Sequence, residues 1–139
     1  MAYTTIDDPT IYFNTKLYTG NGSTQSITGV GFQPDWVWIK QRNGAEWHNL
    51  IDSVRGGTKV VYSNETNAEA TSSNLITSFD SDGFSLGTAN EVNGNTNTFA
   101  SWNWLAGGTA SSNTNGSITS SVSANTTAGF SIVSYTGTG

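Results

Sequence analysis

The chain has 139 residues, only 11% of them charged, and ten acids against five bases leave a net charge of −5. With no basic cluster there is no cationic footprint for nucleic acid, whose binding depends on displacing counterions, and no stretch approaches the ~20 apolar residues of a membrane-spanning helix. The absence of cysteine removes disulfides and thiolate chemistry and leaves the redox compartment open.

Ser, Thr and Asn make up 54 of the 139 residues, so hydroxyls and amides take the place of charge at the surface. Five Trp, five Tyr and six Phe, set largely in alternating runs, separate the chain from polar sequences that stay disordered for want of apolar area to bury.

Residues 1–12 read as an N-terminal arm, without the basic region and apolar segment of a signal peptide. From Phe13 onward, turn signals recur about every ten residues. Asn-Gly occurs at Asn21-Gly22, Asn43-Gly44, Asn93-Gly94 and Asn115-Gly116, and each pair suits the positive φ angles of a tight hairpin. The segments between them alternate with period two, the pattern of half-buried strands. Strands are expected at about 15–19 and about 25–30, then at Asp35–Gln41, where Trp36, Trp38 and Lys40 share one face and Val37 and Ile39 the other. Trp47–Arg55 alternates likewise, with His48, Leu50 and Asp52 opposite Trp47, Asn49 and Ile51.

Further strands are expected at about 59–63, 74–79 and 83–87, then at Asn97–Ala106 with Ala100, Trp102 and Trp104 on one face, and at about 118–123 and 129–136. Residues 64–73 are polar throughout and read as a loop or a single turn, and 109–117 as a Ser/Asn/Gly-rich connector. About ten short strands with hairpin signals and no substantial helix indicate an all-β antiparallel sandwich, jelly-roll or lectin-like. The division expected is an arm at 1–12, a sandwich domain at 13–108, the connector, and closing strands or the start of a second unit at 118–139.

Chemistry is sparse along this frame. His48 and Asp52 share a strand face ~13 Å apart, too far for a His–Asp pair along one segment, so His48 reads as structural or exposed. One histidine and no cysteine argue against structural zinc. Asp80-Ser-Asp82-Gly83 resembles half of a calcium loop, but the distal glutamate does not follow and a β-turn accounts for the same residues. No catalytic residue, metal or cofactor is expected, and the chain reads as a binding protein rather than an enzyme. A polysaccharide-degrading enzyme is the rival that paired carboxylates would favour.

Tryptophan is the most interpretable candidate, since its face stacks on sugar rings while Asn, Glu and backbone amides bond their hydroxyls. Alternation assigns Trp36, Trp38, Trp102 and Trp104 to the core. Trp47, opening a strand after a polar turn, is the candidate for an exposed ring. Ligand contacts are therefore placed on strand-end loops at 43–47, 64–73 and 90–97, with Trp47, Asn43, Glu46 and Asn93 as the binding residues.

Four segments in order carry a family resemblance: Tyr18–Lys40, Leu50–Gly56 (Leu-Ile-Asp-Ser-Val-Arg-Gly), Ile76–Gly87 and Trp102–Gly108 (Trp-Asn-Trp-Leu-Ala-Gly-Gly). Together they resemble a domain recurrent in marine bacteriophage proteins, usually described as tail-fibre or virion structural proteins. The run Val122–Gly137 resembles the opening of a following lectin-like unit in that family. The resemblance implies a virion protein; with the tryptophan reading it gives the expected function, a tail-fibre or adhesin module that attaches to a bacterial surface, with a glycan as the ligand Trp47 would suit. The resemblance implies other virion proteins as partners, a homotrimer, and location on the phage particle. A chain without a signal that nevertheless looks extracellular fits a particle released by lysis. The alternative is a capsid-decoration or tail-assembly component that binds only other virion proteins.

The chain also repeats itself. Phe13–Gly22 and Phe130–Gly139 align at a constant offset of 117 with five identities, Phe13/Phe130, Tyr18/Tyr135, Thr19/Thr136, Gly20/Gly137 and Gly22/Gly139. Two arrangements would follow: a tandem array whose second unit begins at Phe130, or one sandwich in which both segments take related places. Phe130, Ile132, Val133 and Tyr135 are too apolar to lie free in solvent, which favours closure or exchange with a neighbour over disorder.

Overall fold

The computed structural model describes residues 6–139. Its strands are β1 (Phe13–Thr19), β2 (Gln25–Thr28), β3 (Trp36–Gln41), β4 (Asn49–Asp52), β5 (Lys59–Tyr62), β6 (Ala70–Thr71), β7 (Ile76–Asp80), β8 (Gly83–Leu86), β9 (Thr98–Trp104), β10 (Ser111–Asn113), β11 (Ser120–Asn125) and β12 (Phe130–Tyr135). A four-residue helix, α1 (Asn90–Asn93), precedes β9. Among the described residues no helix is long and apolar enough to cross a membrane.

All ladders are antiparallel. One sheet has six strands in the order β1-β9-β3-β4-β5-β6, and two have three, β2-β8-β7 and β10-β11-β12. Val37, Ile39, Ile51, Val60 and Phe99 point from the six-stranded sheet into a core completed by Ile27, Phe84, Leu86 and Ile76 of the β2-β8-β7 sheet and by Val92 of α1. Each such side chain contributes about 1.5–3 kcal/mol by leaving water, so this layer accounts for most of the stability. The fold is an antiparallel β-sandwich.

The tryptophans are not in that core. Register places Trp36 opposite Trp104 and Trp38 opposite Trp102, all on the outer face of the six-stranded sheet and each half-buried. Trp36 and Trp104 stack with centroids 5.1 Å apart, and Phe13 of β1 lies 4.8 Å from Trp104. The β10-β11-β12 sheet covers one end of this row, where Phe130 stacks on Trp36 at 5.5 Å and on Trp104 at 6.0 Å. The expectation of a tryptophan core fails because both faces of this sheet are apolar. Alternation then identifies two faces without saying which is innermost.

The segments expected to be irregular also carry pairing. The connector at 109–117 contains β10, which pairs with β11 (Ser111 opposite Val122), and the loop at 64–73 contains β6, which pairs with β5. Of the arm at 1–12, residues 1–5 lie outside the described residues. Pro9–Ile11 form a single 3₁₀ turn, capped where Asp8 Oδ1 accepts the Thr10 amide at 2.9 Å. The Leu105 amide then donates to the Tyr12 carbonyl, tying the arm to the exit of β9.

Asp35, 1% exposed at the entry to β3, fixes how the third sheet leaves the sandwich. One carboxylate oxygen accepts the Ala106 amide at 2.9 Å and the Gly108 amide at 3.3 Å, while the other accepts the Ser53 hydroxyl at 2.9 Å. Ser123 of β11 continues the linkage by donating to the Gly108 carbonyl at 2.7 Å.

Candidate functional site

The loop from Arg42 to His48, between β3 and β4, carries three of the four residues placed in a site from sequence. Its base is fixed internally: Asn43 Oδ1 accepts the Thr98 amide at 3.0 Å and the Gln41 side-chain amide at 3.2 Å. Asn43 thus anchors the loop to the start of β9. Glu46 lies further out, its Oε1 accepting from Asn90 Nδ2 on α1 at 2.9 Å. The His48 amide donates to Asn64 Oδ1 at 2.9 Å, which brings the loop after β5 alongside. Of the three loops expected to contribute, 43–47 touches 90–97 through Glu46 and Asn90, and 64–73 only through Asn64, whereas Glu69 turns to Arg55.

Trp47 stands in the 43–47 loop with 42% of its surface exposed. Tyr62, the last residue of β5, packs against it edge-on, with centroids 4.8 Å apart and an interplanar angle of 65°. Beneath them Asn49 donates to the Trp47 carbonyl at 3.0 Å and to the Glu91 carbonyl at 3.3 Å, holding loop and helix together. Burial first, and then the negative charge of Glu46, push the Glu91 carboxyl above the ordinary glutamate value of 4.5. Burial first, and then the charge of Glu91, push the Tyr62 phenol above its ordinary 10.0. Glu46 and Tyr62 thus each sense the charge of Glu91, and Tyr62 brings that pair of acids to the Trp47 side chain it packs against.

Asn93 does not join it. The residue is fully buried, its amide nitrogen donating to the Ser23 carbonyl and, at 2.8 Å, to the Gly87 carbonyl, while its Oδ1 accepts the Asn21 amide at 3.1 Å. It holds the turn after β1 in place and presents no surface to a ligand. Asn90 and Glu91 fall in the 90–97 loop placed in the site from sequence, whereas Tyr62, whose ring packs on Trp47, carried no sequence signal, because a ring contact between separate segments leaves no spacing to read.

A concavity of about 310 Å³ lies away from Trp47, on the outer face where β12 overhangs the six-stranded sheet. Trp36, Leu50, Val61 and Ile132 form its apolar walls, and Asp52, Arg55 and Glu69 its polar rim. Arg55 donates from Nε to Asp52 at 2.6 Å, and from its two terminal nitrogens to Glu69 at 3.1 Å and to the Leu50 carbonyl at 3.0 Å. The guanidinium stands between the two carboxylates and commits both to a structural ion pair.

Elsewhere the polar candidates are absorbed by the fold. His48 Nδ1 accepts the Trp38 indole N–H at 3.1 Å. In the β7–β8 hairpin Asp80 accepts the Ser78 and Ser85 hydroxyls, each at 2.7 Å. Asp82 accepts the Gly31 and Gly29 amides at 2.7 and 2.9 Å, which lowers its pKa. Among the described residues no three His, Cys, Asp or Glu side chains gather as a metal site.

A family model described as a domain of unknown function, DUF7483, matches residues 8–139. No curated protein and no solved structure matches the chain.

Proposed function

This chain belongs to the DUF7483 family, and we propose that it is an attachment module of a phage virion, a tail-fibre or adhesin domain that holds a bacterial-surface glycan at Trp47. The observation that carries the reading is the exposed indole of Trp47, braced by Tyr62 and preceded in its loop by Glu46, whose charge reaches Glu91. An indole face offers sugar C–H groups an apolar, electron-rich surface, and adjacent carboxylates accept the hydroxyl protons at the ring edge. A site set on the loops of a rigid sandwich suits attachment, because the loops vary while the frame holds their bases. The phage origin, the location on the particle and a homotrimeric assembly rest on the resemblance of the four motifs to a domain of marine phage proteins.

The test compares the intact protein with Trp47→Ala and Trp47→Phe on a glycan array and in adsorption to host cells. The alanine variant is expected to lose about 2 kcal/mol of binding, ~30-fold, with its unfolding temperature nearly unchanged, and phenylalanine to retain part of the affinity. Absence of glycan and cell binding by the intact protein, together with retained binding to other virion proteins, would establish the capsid-decoration or tail-assembly alternative instead.

A further inference from the structure

The five identities between Phe13–Gly22 and Phe130–Gly139 have unequal work to do. In the first copy Phe13, Tyr18 and Gly20 are each held by the fold. Phe13 packs on Trp104. Tyr18 stacks on Phe99 at 5.1 Å and donates its hydroxyl to the Val92 carbonyl at 2.7 Å. Gly20 has no room for a side chain, since a Cβ there would run into the carbonyl oxygen of Gly94. In the second copy only Phe130 has a comparable contact. Tyr135 is 68% exposed, and a Cβ on Gly137 would meet nothing within 4 Å.

We propose that Phe130–Gly139 is a second version of β1, able to take the place of β1 beside β9 in another copy of this chain. The β1–β9 register, Phe13 opposite Trp104 through Thr19 opposite Thr98, transfers at the offset of 117. Phe130 then lies opposite Trp104 of the second copy, Tyr135 opposite its Phe99 and Thr136 opposite its Thr98. Phe130 keeps a tryptophan contact of the kind it already has.

Side-chain parity agrees with the transfer. In their own sheet Val133 and Tyr135 face outward, 51% and 68% exposed, an apolar pair left open on an edge strand. In the β1 register they fall at the positions of Lys16 and Tyr18, on the face turned toward the sandwich core. The strand to be displaced is an edge strand, paired only with β9, so its place opens without breaking another ladder. Exchange of equivalent elements between copies needs no new contact type, only a new donor.

The chain has no cysteine of its own, so disulfide trapping reports cleanly. Thr98→Cys with Thr136→Cys, made together in the full chain, pairs the two strands in the transferred register. Ser121→Cys with Ser134→Cys marks the existing β11–β12 pairing as an intrachain control. The expected result is a disulfide between chains for the first pair, seen as a dimer or ladder on a non-reducing gel. Gly20→Ala, which loosens β1, should increase it several-fold. Gly137→Ala is harmless where the strand now lies, but should reduce the link about tenfold, because its Cβ would meet the Gly94 oxygen of the second copy. Linkage confined within one chain, no linkage, or interchain linkage indifferent to Gly137→Ala would each overturn the proposal.

Discussion

Glu91 bears an uncomfortable charge beside Trp47, and the sign of its effect on stability follows from its environment. Burial and Glu46 raise its pKa in the folded protein above 4.5, so the folded state holds that proton more tightly than the unfolded one. Its contribution to stability is complete below the unfolded value and is lost as pH rises through the raised folded value. Glu91→Gln should therefore increase the unfolding temperature at neutral pH and flatten its decline above about pH 4.5, as measured by thermal denaturation across that range. A variant whose pH profile matched the parent would show that Glu91 is well solvated. Residues of this kind divide into legible and hidden. Trp47 was legible because a tryptophan directly after the polar Asn43–Glu46 turn has no neighbouring strand residues to bury it. Asn93 was not, because Asn-Gly reads as an exposed turn, whereas here the carbonyls of Ser23 and Gly87 converge on its amide from distant parts of the chain.

Strands were read well where apolar alternation was strong and poorly where it was absent. Asp35–Gln41 and Asn97–Ala106 predicted β3 and β9 to within a residue or two, since each alternates a large ring with an aliphatic or small residue. β6 has two residues and β10 three, mostly hydroxyl-bearing, so nothing in their composition distinguishes a strand from a loop. Pairing with β5 and β11 creates them. The third sheet is attached through few apolar contacts, with Phe130 stacking on two tryptophans. Phe130→Ala should weaken docking of β10-β11-β12 by about 3 kcal/mol, the usual cost of truncating a well-packed phenylalanine. Tryptophan fluorescence should shift to the red as Trp36 and Trp104 meet water, while the far-ultraviolet spectrum of the sandwich persists. An unchanged emission maximum would mean that other contacts hold the sheet down.

At the scale of the whole molecule the sandwich and the third sheet are unequal partners. The first has a core of fully buried aliphatic and aromatic side chains, and the second rests on its outer face through stacked rings and a hydroxyl chain. Hydrogen exchange should rank them accordingly, with amides of β3 and β9 slowest and those of β11 and β12 released by a smaller opening that leaves the core closed. Uniform protection of all twelve strands would show a single cooperative unit instead. Asp35 joins the two parts, and its position has a mechanical meaning. A pull on the chain beyond Tyr135 meets the β11–β12 ladder at its open end, where Ser120 faces Tyr135, so the pairs yield one after another, as a zipper does. Tension that outlasts the zipper arrives at Ala106 and Gly108, whose amides are held by the Asp35 carboxylate at the root of β3. That carboxylate is the rivet at which an extensible tail ends and a stiff body begins.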